Sequence, residues 1–364
     1  MTRKNKFITR NYIILIIILF TIASGNCACK KKESPGLVTD TPPDTLRSYL
    51  NPVGGITDIG DPYVLKYNNN YYMYATSSSE GFYVWKSSNL VDWEKGGLAL
   101  NRNNTGNNWG KGNFWAPEVK YYKGKFYMTY SAISDNDKMK IRIAKSDNPT
   151  GPFLNWSEPF LAGDQNSYID ADLFIDGDKT YLYFVKDCSE NIIDGKHVSQ
   201  VYVCELSPDL MTMTGYPQLI LSPDQAWEGA GGDWQWNEGP FVMKHDNLYY
   251  LLYSANYYAS AQYSVGVATS SSPTGTWTKY TNNPVLKQDA ALRVSGPGHC
   301  MVTISPDSTE YFIVYHTHTY YDNPSGNRNM CIDRLYFDNS VLKVKGPTRT
   351  PQPLPGGIPY RIVK

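Results

Sequence analysis

The chain has 364 residues, and its 34 Lys and Arg residues balance its 34 Asp and Glu residues, so the formal net charge is zero. Without an excess of positive charge it lacks the electrostatic signature of a protein that binds nucleic acid or an anionic membrane surface, and a neutral partner is favoured. The 30 Tyr and nine Trp residues are typical of β-strands, and those near a site would also suit stacking on sugars.

The N-terminal residues 1–29 predict an export signal rather than part of a fold. Residues 1–6 are basic and residues 12–22 are almost wholly apolar, with small residues after them, which is the arrangement of a secretory signal. The apolar run is too short for a transmembrane helix. Cys27 and Cys29 follow directly and resemble the lipidated cysteine of a bacterial lipoprotein. The residue before Cys27 is unusual for such a site, so plain export stays an alternative.

Residues 30–52 follow as a Lys- and Pro-containing segment that predicts a flexible tether. The expected location is periplasmic, or on the outer membrane or cell surface as a lipoprotein, with the membrane reached only through the lipid anchor. Export permits disulfides, so Cys188 and Cys204 could pair across a hairpin. The alternative is slightly favoured, namely that these two and Cys300 and Cys331 are buried thiols.

Five repeats of one pattern occupy the rest of the chain, and each contains a corner that opens a short apolar strand. The corners are separated by 52 to 68 residues, and a Tyr-rich strand follows each of them after a turn. This period is typical of propeller blades. The sequence therefore predicts a single all-β domain at residues 53–364, a five-bladed β-propeller with mostly four antiparallel strands per blade. The corners are Asp61-Pro62, Pro117-Glu118, Asp170-Ala171-Asp172, Glu238-Gly239-Pro240 and Gly298-His299.

Radial repetition gathers these corners around one axis, so the carboxylates of Asp61, Asp170 and Glu238 are expected to share a central cavity. Hydrolysis of a glycosidic bond needs one carboxylic acid that protonates the leaving oxygen and one carboxylate that activates water or attacks carbon. A third negative group nearby keeps the acid protonated by raising its pKa. The corners therefore indicate a glycosidase with a carbohydrate substrate, and we expect it to be a monomer.

Two of these carboxylates have competitors in the sequence. Asp172 would face the opposite side of a regular strand from Asp170, and Asp176 belongs to an Asp-Gly-Asp hairpin turn. Glu228 competes with Glu238 but lies in a Gly-rich loop and lacks the Glu-Gly-Pro context. Asp170 and Glu238 are therefore the preferred candidates.

Together these segments resemble glycoside hydrolase family 43, whose members are five-bladed propellers that act on arabinose- and xylose-containing glycans. The resemblance covers essentially everything after the tether, and its strength lies in the order of the segments and their spacing by blades. The segments are Gly60-Asp61-Pro62-Tyr63-Val64, Phe114-Trp115-Ala116-Pro117-Glu118-Val119, Ile169-Asp170, Leu173-Phe174-Ile175-Asp176, Glu238-Gly239-Pro240, Ser295-Gly296-Pro297-Gly298-His299 and Val314-Tyr315-His316.

The resemblance implies an inverting mechanism in which Asp61 is the general base and Glu238 the general acid. Asp170 would raise the pKa of Glu238 and help to orient it. In inverting enzymes the two carboxyl groups lie about 6.5–9.5 Å apart, which leaves room for a water. The resemblance also implies that Trp115 lines the sugar site and that His299 lies near the bottom of the pocket. No cofactor is expected to be required, and a structural calcium ion near His299 is an optional addition.

Other parts of the chain are assigned with alternatives. Glu118 is expected to be a substrate contact or, equally, a clasp between blades, whereas His316 and His318 are expected to be structural. The loops at residues 101–112 and 227–236 are predicted to wall the pocket, which favours cleavage at chain ends.

The leading hypothesis is an inverting hydrolase of arabinofuranosyl or xylosyl linkages in plant-type polysaccharides or oligosaccharides. The alternatives of the same fold are an endo-arabinanase, a galactan-directed hydrolase and a glycan-binding propeller without catalysis. A sialidase-like propeller is disfavoured because it would need a cluster of Arg residues, and no corner carries an Arg.

Overall fold

Within the residues that it describes, 47–104, 106 and 108–361, the computed structural model contains five antiparallel four-stranded sheets. The predicted export signal, both candidate lipidated cysteines and most of the predicted tether lie outside these residues. The innermost strands of the five sheets contact one another in cyclic order, so the sheets close into the predicted five-bladed β-propeller. No helix in the described part of the chain is long and apolar enough to cross a membrane.

The blades follow one another along the chain, and each runs from the axis to the rim. Blade 1 consists of β2–β5, blade 2 of β6–β9, blade 3 of β10, β11, β14 and β15, blade 4 of β17–β20, and blade 5 of β21–β24. Two small sheets lie outside the blades, β1 with β25 and β12 with β13 and β16, and a short 3-10 helix spans Ala226–Glu228. The strands are β1 (Ser48–Tyr49), β2 (Gly60–Tyr67), β3 (Asn70–Thr76), β4 (Gly81–Ser87), β5 (Glu94–Asn101), β6 (Trp115–Tyr122), β7 (Lys125–Ile133), β8 (Met139–Ser146), β9 (Leu154–Asn155), β10 (Tyr168–Asp176), β11 (Lys179–Lys186), β12 (Ile192–Ile193), β13 (Lys196–Val198), β14 (Gln200–Glu205), β15 (Gln218–Leu221), β16 (Trp234–Gln235), β17 (Asn237–His245), β18 (Leu248–Ala255), β19 (Ser264–Ser270), β20 (Thr278–Lys279), β21 (Gly298–Ile304), β22 (Tyr311–His318), β23 (Arg328–Asp338), β24 (Val341–Lys345) and β25 (Gln352–Pro353).

A β-bulge interrupts the innermost strand of every blade at the predicted corner. The residue at the bulge has a φ between 46° and 54°, in the left-handed region that Gly and Asp tolerate better than most residues. Because the bulge recurs at one place in each blade, it brings five equivalent residues to one level of the axis. These residues are Asp61, Ala116, Asp170, Gly239 and His299.

In four blades the backbone N–H of the bulge residue is bound by a polar side chain of the preceding blade. Ala116 donates to Thr76 Oγ1 (2.9 Å), Asp170 to Ser131 Oγ (3.2 Å), His299 to Ser254 Oγ (2.8 Å) and Asp61 to His316 Nδ1 (3.2 Å). All four acceptors occupy one register position on the second strand of a blade. Blade 3 has Val185 at that position, so a carboxylate replaces it, and Gly239 donates to Asp170 Oδ2 at 3.0 Å.

The Tyr-rich second strands fill the core and also join neighbouring blades. Tyr74 and Tyr183 are fully buried. Tyr183 of blade 3 donates its hydroxyl to the carbonyl of Pro273 at 2.7 Å, and Tyr74 of blade 1 donates to the carbonyl of Pro149. Both acceptors lie in the Pro-Thr-Gly turns that end the outer part of the next blade. The abundance of Tyr therefore reflects hydrogen bonds between blades as well as strand propensity.

The folded domain begins earlier than the predicted boundary at residue 53. β1 pairs with β25, and Tyr49 is buried. The Asn51 side chain donates to the carbonyl of Ile332 at 2.8 Å and accepts the N–H of the same residue at 3.0 Å. Residues 48–52, which were predicted to belong to a flexible tether, are therefore part of the fold.

The four cysteines among the described residues are free and buried. Cys300 and Cys331 belong to the largest apolar cluster, and Cys204 belongs to the cluster under blades 2 and 3. The alternative of buried thiols is confirmed, and the cross-hairpin pairing of Cys188 with Cys204 is not formed.

Candidate active site

A cavity of about 310 Å³ lies at the axis where the bulges meet. Five of the six residues predicted for the site line it, namely Asp61, Trp115, Asp170, Glu238 and His299. Each of them is either the bulge residue of its blade or the residue just before it. The structure therefore brings the three predicted carboxylates into one cavity, with an aromatic side chain and an imidazole beside them.

Four polar side chains surround the Asp61 carboxyl group. Asp61 Oδ1 lies 2.8 Å from Arg328 Nη1, 3.3 Å from His299 Nδ1 and 3.6 Å from His316 Nδ1, while Oδ2 accepts a 2.6 Å hydrogen bond from Thr76 Oγ1. Burial alone would raise the pKa of Asp61, but these partners outweigh it and hold the pKa well below its usual range. Asp61 is therefore ionised at neutral pH, which suits a proton acceptor.

The Glu238 carboxyl group has the opposite environment. It is buried, and Tyr263 donates its hydroxyl to Oε1 at 2.7 Å. Burial, followed by the negative charge of Asp170, raises the pKa of Glu238 well above its usual range, and the Tyr263 hydrogen bond only partly opposes this. The raised pKa favours the protonated form of Glu238, which suits a group that donates a proton to a leaving group.

The Asp170 carboxylate contacts the segment that carries Glu238, because its Oδ2 accepts the N–H of Gly239, the residue that follows Glu238. Burial raises the pKa of Asp170 to about 6; His299 opposes the rise and Asp61 adds to it. Since Val185 offers no acceptor, this hydrogen bond replaces the one that a hydroxyl or imidazole makes at the other blades. The site thus ties Asp170 to the backbone that carries Glu238.

Glu118 is not among the residues that line the cavity, which corrects the expectation of a substrate contact. It lies two positions beyond the Ala116 bulge, a register position that corresponds to Asp172 in blade 3. Burial and the charge of Asp172 raise the pKa of Glu118 well above its usual range. Lys120 pairs with Asp172 at 2.8 Å in the same buried layer, so the structure favours the alternative of a clasp between blades.

The competing carboxylates are all engaged away from the cavity. Glu228 pairs with Lys279 at 2.7 Å and accepts the Tyr253 hydroxyl at 2.6 Å. Asp176 ends β10 at the predicted hairpin turn. The expectation that Asp172 would face away from Asp170 rested on a wrong premise, because residues two apart on a regular strand lie on the same face. Asp172 pairs with Lys120 at 2.8 Å and accepts the N–H of Val242 at 2.7 Å, so its carboxylate is engaged between blades.

Sequence reasoning missed Arg328, and it expected His316 to be structural without identifying its contact with Asp61. Arg328 lies in β23 and lines the cavity. His316 accepts the N–H of Asp61, and burial, followed by the charge of Arg328, lowers the pKa of His316 well below its usual range. Arg328 belongs to the third strand of its blade rather than to a corner, so no motif in the sequence pointed to it.

A fourth carboxylate also lines the cavity. Asp187 follows β11, and its negative charge contributes to the raised pKa values of Asp170 and Glu238. Its carboxylate accepts the N–H of Ser189 at 2.8 Å, which fixes it in a turn. The signal in the sequence was an Asp at the end of a Tyr-rich strand, a position where the other blades have no acid.

Only one of the two predicted loop walls borders the cavity. Trp234 and Trp236, from the loop at residues 227–236, line it together with Tyr257 and Tyr258. None of the described residues in the loop at residues 101–112 does so. Instead, Trp109 of that loop packs against the apolar core, which corrects this part of the expectation.

Comparisons with known proteins agree with this geometry. The sequence profile described as Glycosyl hydrolases family 43 matches residues 49–341. A solved structure described as a thermostable family-43 glycoside hydrolase is 57% identical, with a TM-score of 0.83, over 84% of this chain and 99% of that one. A β-D-galactofuranosidase of Aspergillus niger is 28% identical over 77% of this chain and 80% of its own length. An extracellular exo-α-(1→5)-L-arabinofuranosidase of Streptomyces avermitilis is 28% identical over 89% and 68%.

Proposed function

Because the chain belongs to glycosyl hydrolases family 43 and is a hydrolase of glycosidic bonds, we propose that it releases arabinofuranosyl or xylosyl residues with inversion of the anomeric centre. The observation that carries the proposal is the pair of carboxyl groups in one cavity with opposed pKa shifts, Asp61 lowered and Glu238 raised. Such a pair provides an acid and a base at the same pH.

In the proposed mechanism Glu238 donates its proton to the glycosidic oxygen as the bond from that oxygen to the anomeric carbon breaks. A water attacks the anomeric carbon from the opposite face and passes a proton to Asp61. The products are a free sugar of inverted configuration and an alcohol, and the proton taken up by Asp61 equals the one lost by Glu238. Transfer of that proton through solvent restores the starting state.

The other residues of the site would position these two groups. Arg328 and Thr76 fix the Asp61 carboxylate, and Asp170 keeps Glu238 protonated. Trp115, 37% exposed at the cavity wall, offers an apolar surface for the sugar that is cleaved. The expected calcium ion near His299 stays a prediction. Among the described residues there is no group of three or more His, Cys, Asp or Glu side chains that could hold a metal ion.

Several observations support a neutral sugar substrate. The described residues that line the cavity are rich in aromatic side chains, and the relatives are named as furanosidases of arabinose and galactose. Others are named as a xylosidase/arabinosidase and a probable arabinan endo-1,5-α-L-arabinosidase, so arabinose and xylose linkages are proposed first. The test below must exclude three alternatives: an endo-arabinanase, a galactan-directed hydrolase and a non-catalytic glycan-binding propeller.

The test uses the chain without residues 1–45 on aryl α-L-arabinofuranoside and aryl β-D-xyloside, together with oligosaccharides of the same sugars. Glu238→Gln is expected to lower kcat/KM on oligosaccharides by about 10²–10⁴-fold, the usual contribution of a general acid. Glu158→Gln, whose side chain is 89% exposed outside the cavity, is the matched control. Proton NMR of the first-formed sugar anomer checks inversion. Parent activity that survives in Glu238→Gln would refute the assigned acid.

We also propose export and attachment through a lipid on Cys27 or Cys29, with the protein a monomer at the cell surface or in the periplasm. Two relatives are named as extracellular enzymes, which supports export. A double Cys27→Ser, Cys29→Ser variant should move from the membrane fraction to the soluble fraction and lose incorporation of labelled palmitate. A lipid anchor is refuted if the native chain takes up no label.

A further inference from the structure

A row of aromatic side chains leaves the cavity and continues onto the small sheet of β12, β13 and β16. We call it the aromatic row, and its members are Tyr258, Tyr257, Trp236, Trp234 and His197. Successive ring centroids are 4.9, 5.6, 6.2 and 3.7 Å apart in that order. The first four members line the cavity, so the row connects the reacting groups to a surface outside the blades.

The inner end of the row touches the catalytic machinery. The guanidinium carbon of Arg328 lies 5.1 Å from the centroid of the Tyr258 ring, and the same guanidinium holds Asp61. His318 Nε2 donates to the backbone carbonyl of Tyr258 at 2.8 Å. Tyr258 is therefore held in place next to the guanidinium that binds Asp61.

At the outer end of the row, the His197 ring packs flat against the Trp234 indole. The His197 imidazole stacks on Trp234 with an interplanar angle of 4°, and its Nδ1 donates to the carbonyl of Cys188 at 2.8 Å. β13 and β16 pair in parallel, with His197 opposite Trp234. Trp234 is nonetheless 49% exposed. His197 therefore covers one face of the indole while about half of the Trp234 surface stays exposed.

The half-buried His197 ring supports an indole that is exposed and continuous with the aromatic side chains of the cavity. A contiguous exposed aromatic surface of this kind suggests a stacking site. The neutral faces of sugar rings are the partner that fits, because the row is continuous with a glycosidase cavity. We propose that Trp234 and the aromatic row bind the aglycone, so that the substrate is a terminal sugar attached to a longer glycan and not to a small alcohol. This inference rests on the proposed function and adds the nature of the leaving group.

The experiment measures kcat/KM for oligosaccharides of increasing length that carry one cleavable terminal sugar, and for the aryl glycoside of that sugar. For the wild type we expect kcat/KM to rise from the disaccharide to the longer substrates, mainly through KM. In Trp234→Ala the ratio of kcat/KM on the longest oligosaccharide to that on the aryl glycoside should fall about tenfold. Trp234→Phe, which keeps a flat ring, should recover part of the loss.

Tyr336→Ala is the matched control, because Tyr336 is 48% exposed in β23, outside the cavity lining. In this variant the ratio of kcat/KM on the longest oligosaccharide to kcat/KM on the aryl glycoside should equal that of the wild type. A ratio that is unchanged in Trp234→Ala, or that falls equally in the control, overturns the proposal.

A measurement of oligosaccharide binding can test the aglycone site even if the proposed hydrolysis does not occur. If the wild type hydrolyses neither the arabinosyl nor the xylosyl substrates, the aglycone site is tested by calorimetric titration of Glu238→Gln with the same arabinose- and xylose-containing oligosaccharides. A roughly tenfold weaker affinity on adding Trp234→Ala would support the aglycone site even though the proposed reaction fails. Equal affinities, or no binding in either protein, would overturn it.

Discussion

At the scale of single residues, Asp61 and Glu238 show how the pKa values of two carboxyl groups in one cavity shift in opposite directions. Each is 9% exposed, so burial raises both pKa values and cannot separate them. The neighbours decide the outcome, because Asp61 lies against a guanidinium, whereas Glu238 lies near the negative charge of Asp170. The assignment of base and acid therefore depends on Arg328 and Asp170 more than on the two groups themselves.

Replacement of Arg328 by Met should raise the pKa of Asp61. Loss of an adjacent opposite charge typically moves a carboxyl pKa up by about one to three units, so the acid limb of the kcat/KM profile should move to higher pH. The pH dependence of kcat/KM between pH 3 and 9 checks this. Arg328→Lys, which keeps a positive charge, should shift the limb less. An acid limb that stays in place in Arg328→Met would show that Asp61 is not the titrating base.

Replacement of Asp170 by Asn should lower the pKa of Glu238, because a negative charge is removed while the acceptor for the Gly239 N–H is kept. The basic limb of the kcat/KM profile should therefore move to lower pH by about one unit or more. Asp176→Asn is the control, since this residue lies on the same strand but outside the cavity lining. A basic limb that moves upward, or that moves equally in the control, contradicts the assigned role.

The acidic corners could be found from the sequence because each catalytic carboxylate stands in a local motif. Arg328 could not, since it reaches Asp61 across 267 positions of sequence and lies on a third strand without a recurring pattern. His316 was visible as a residue but not as a partner of Asp61. Only the ring closure of the propeller shows which second-strand side chain meets which bulge.

At the scale of strands, the sequence predicted the blades well but placed the corners in a slightly wrong register. Glu238 and Glu118 were treated as equivalents of Asp61, whereas the bulge residues are Gly239 and Ala116. In three blades a Pro follows the bulge, at positions 62, 117 and 240. Alignment on these prolines would have placed Glu118 two residues beyond the bulge and therefore one layer deeper than the cavity.

The second strands explain why Asp170 is a positioning group as well as a source of charge. Four blades supply a hydroxyl or an imidazole to the N–H of the next bulge, but blade 3 supplies only the apolar Val185. An unbound N–H in this buried layer would cost about 1–3 kcal/mol, and the Asp170 carboxylate avoids that cost. The one blade whose second strand lacks a polar acceptor at this position is thus blade 3, which carries Asp170 and precedes the blade that carries Glu238.

At the scale of the whole molecule, the segment before blade 1 closes the ring against blade 5. Val53 donates its N–H to the carbonyl of Met330 at 3.0 Å, and Ile59 donates to that of Arg328 at 3.2 Å. With Asn51 bound to Ile332, this segment runs along β23, the strand that carries Arg328. Ring closure and the position of the Asp61 partner therefore depend on the same strand.

A chain that begins at residue 53 should consequently be less stable than one that begins at residue 47. It loses the buried Tyr49 side chain and both hydrogen bonds between Asn51 and Ile332, which together should lower the free energy of unfolding by at least about 3 kcal/mol. Urea unfolding of the two chains checks this, and Asn51→Ala in the longer chain should reproduce part of the loss. Because β23 would be less firmly held, the acid limb of the kcat/KM profile should also move toward that of Arg328→Met. Equal stability of the two chains would mean that residues 47–52 only rest on the propeller and take no part in closing it.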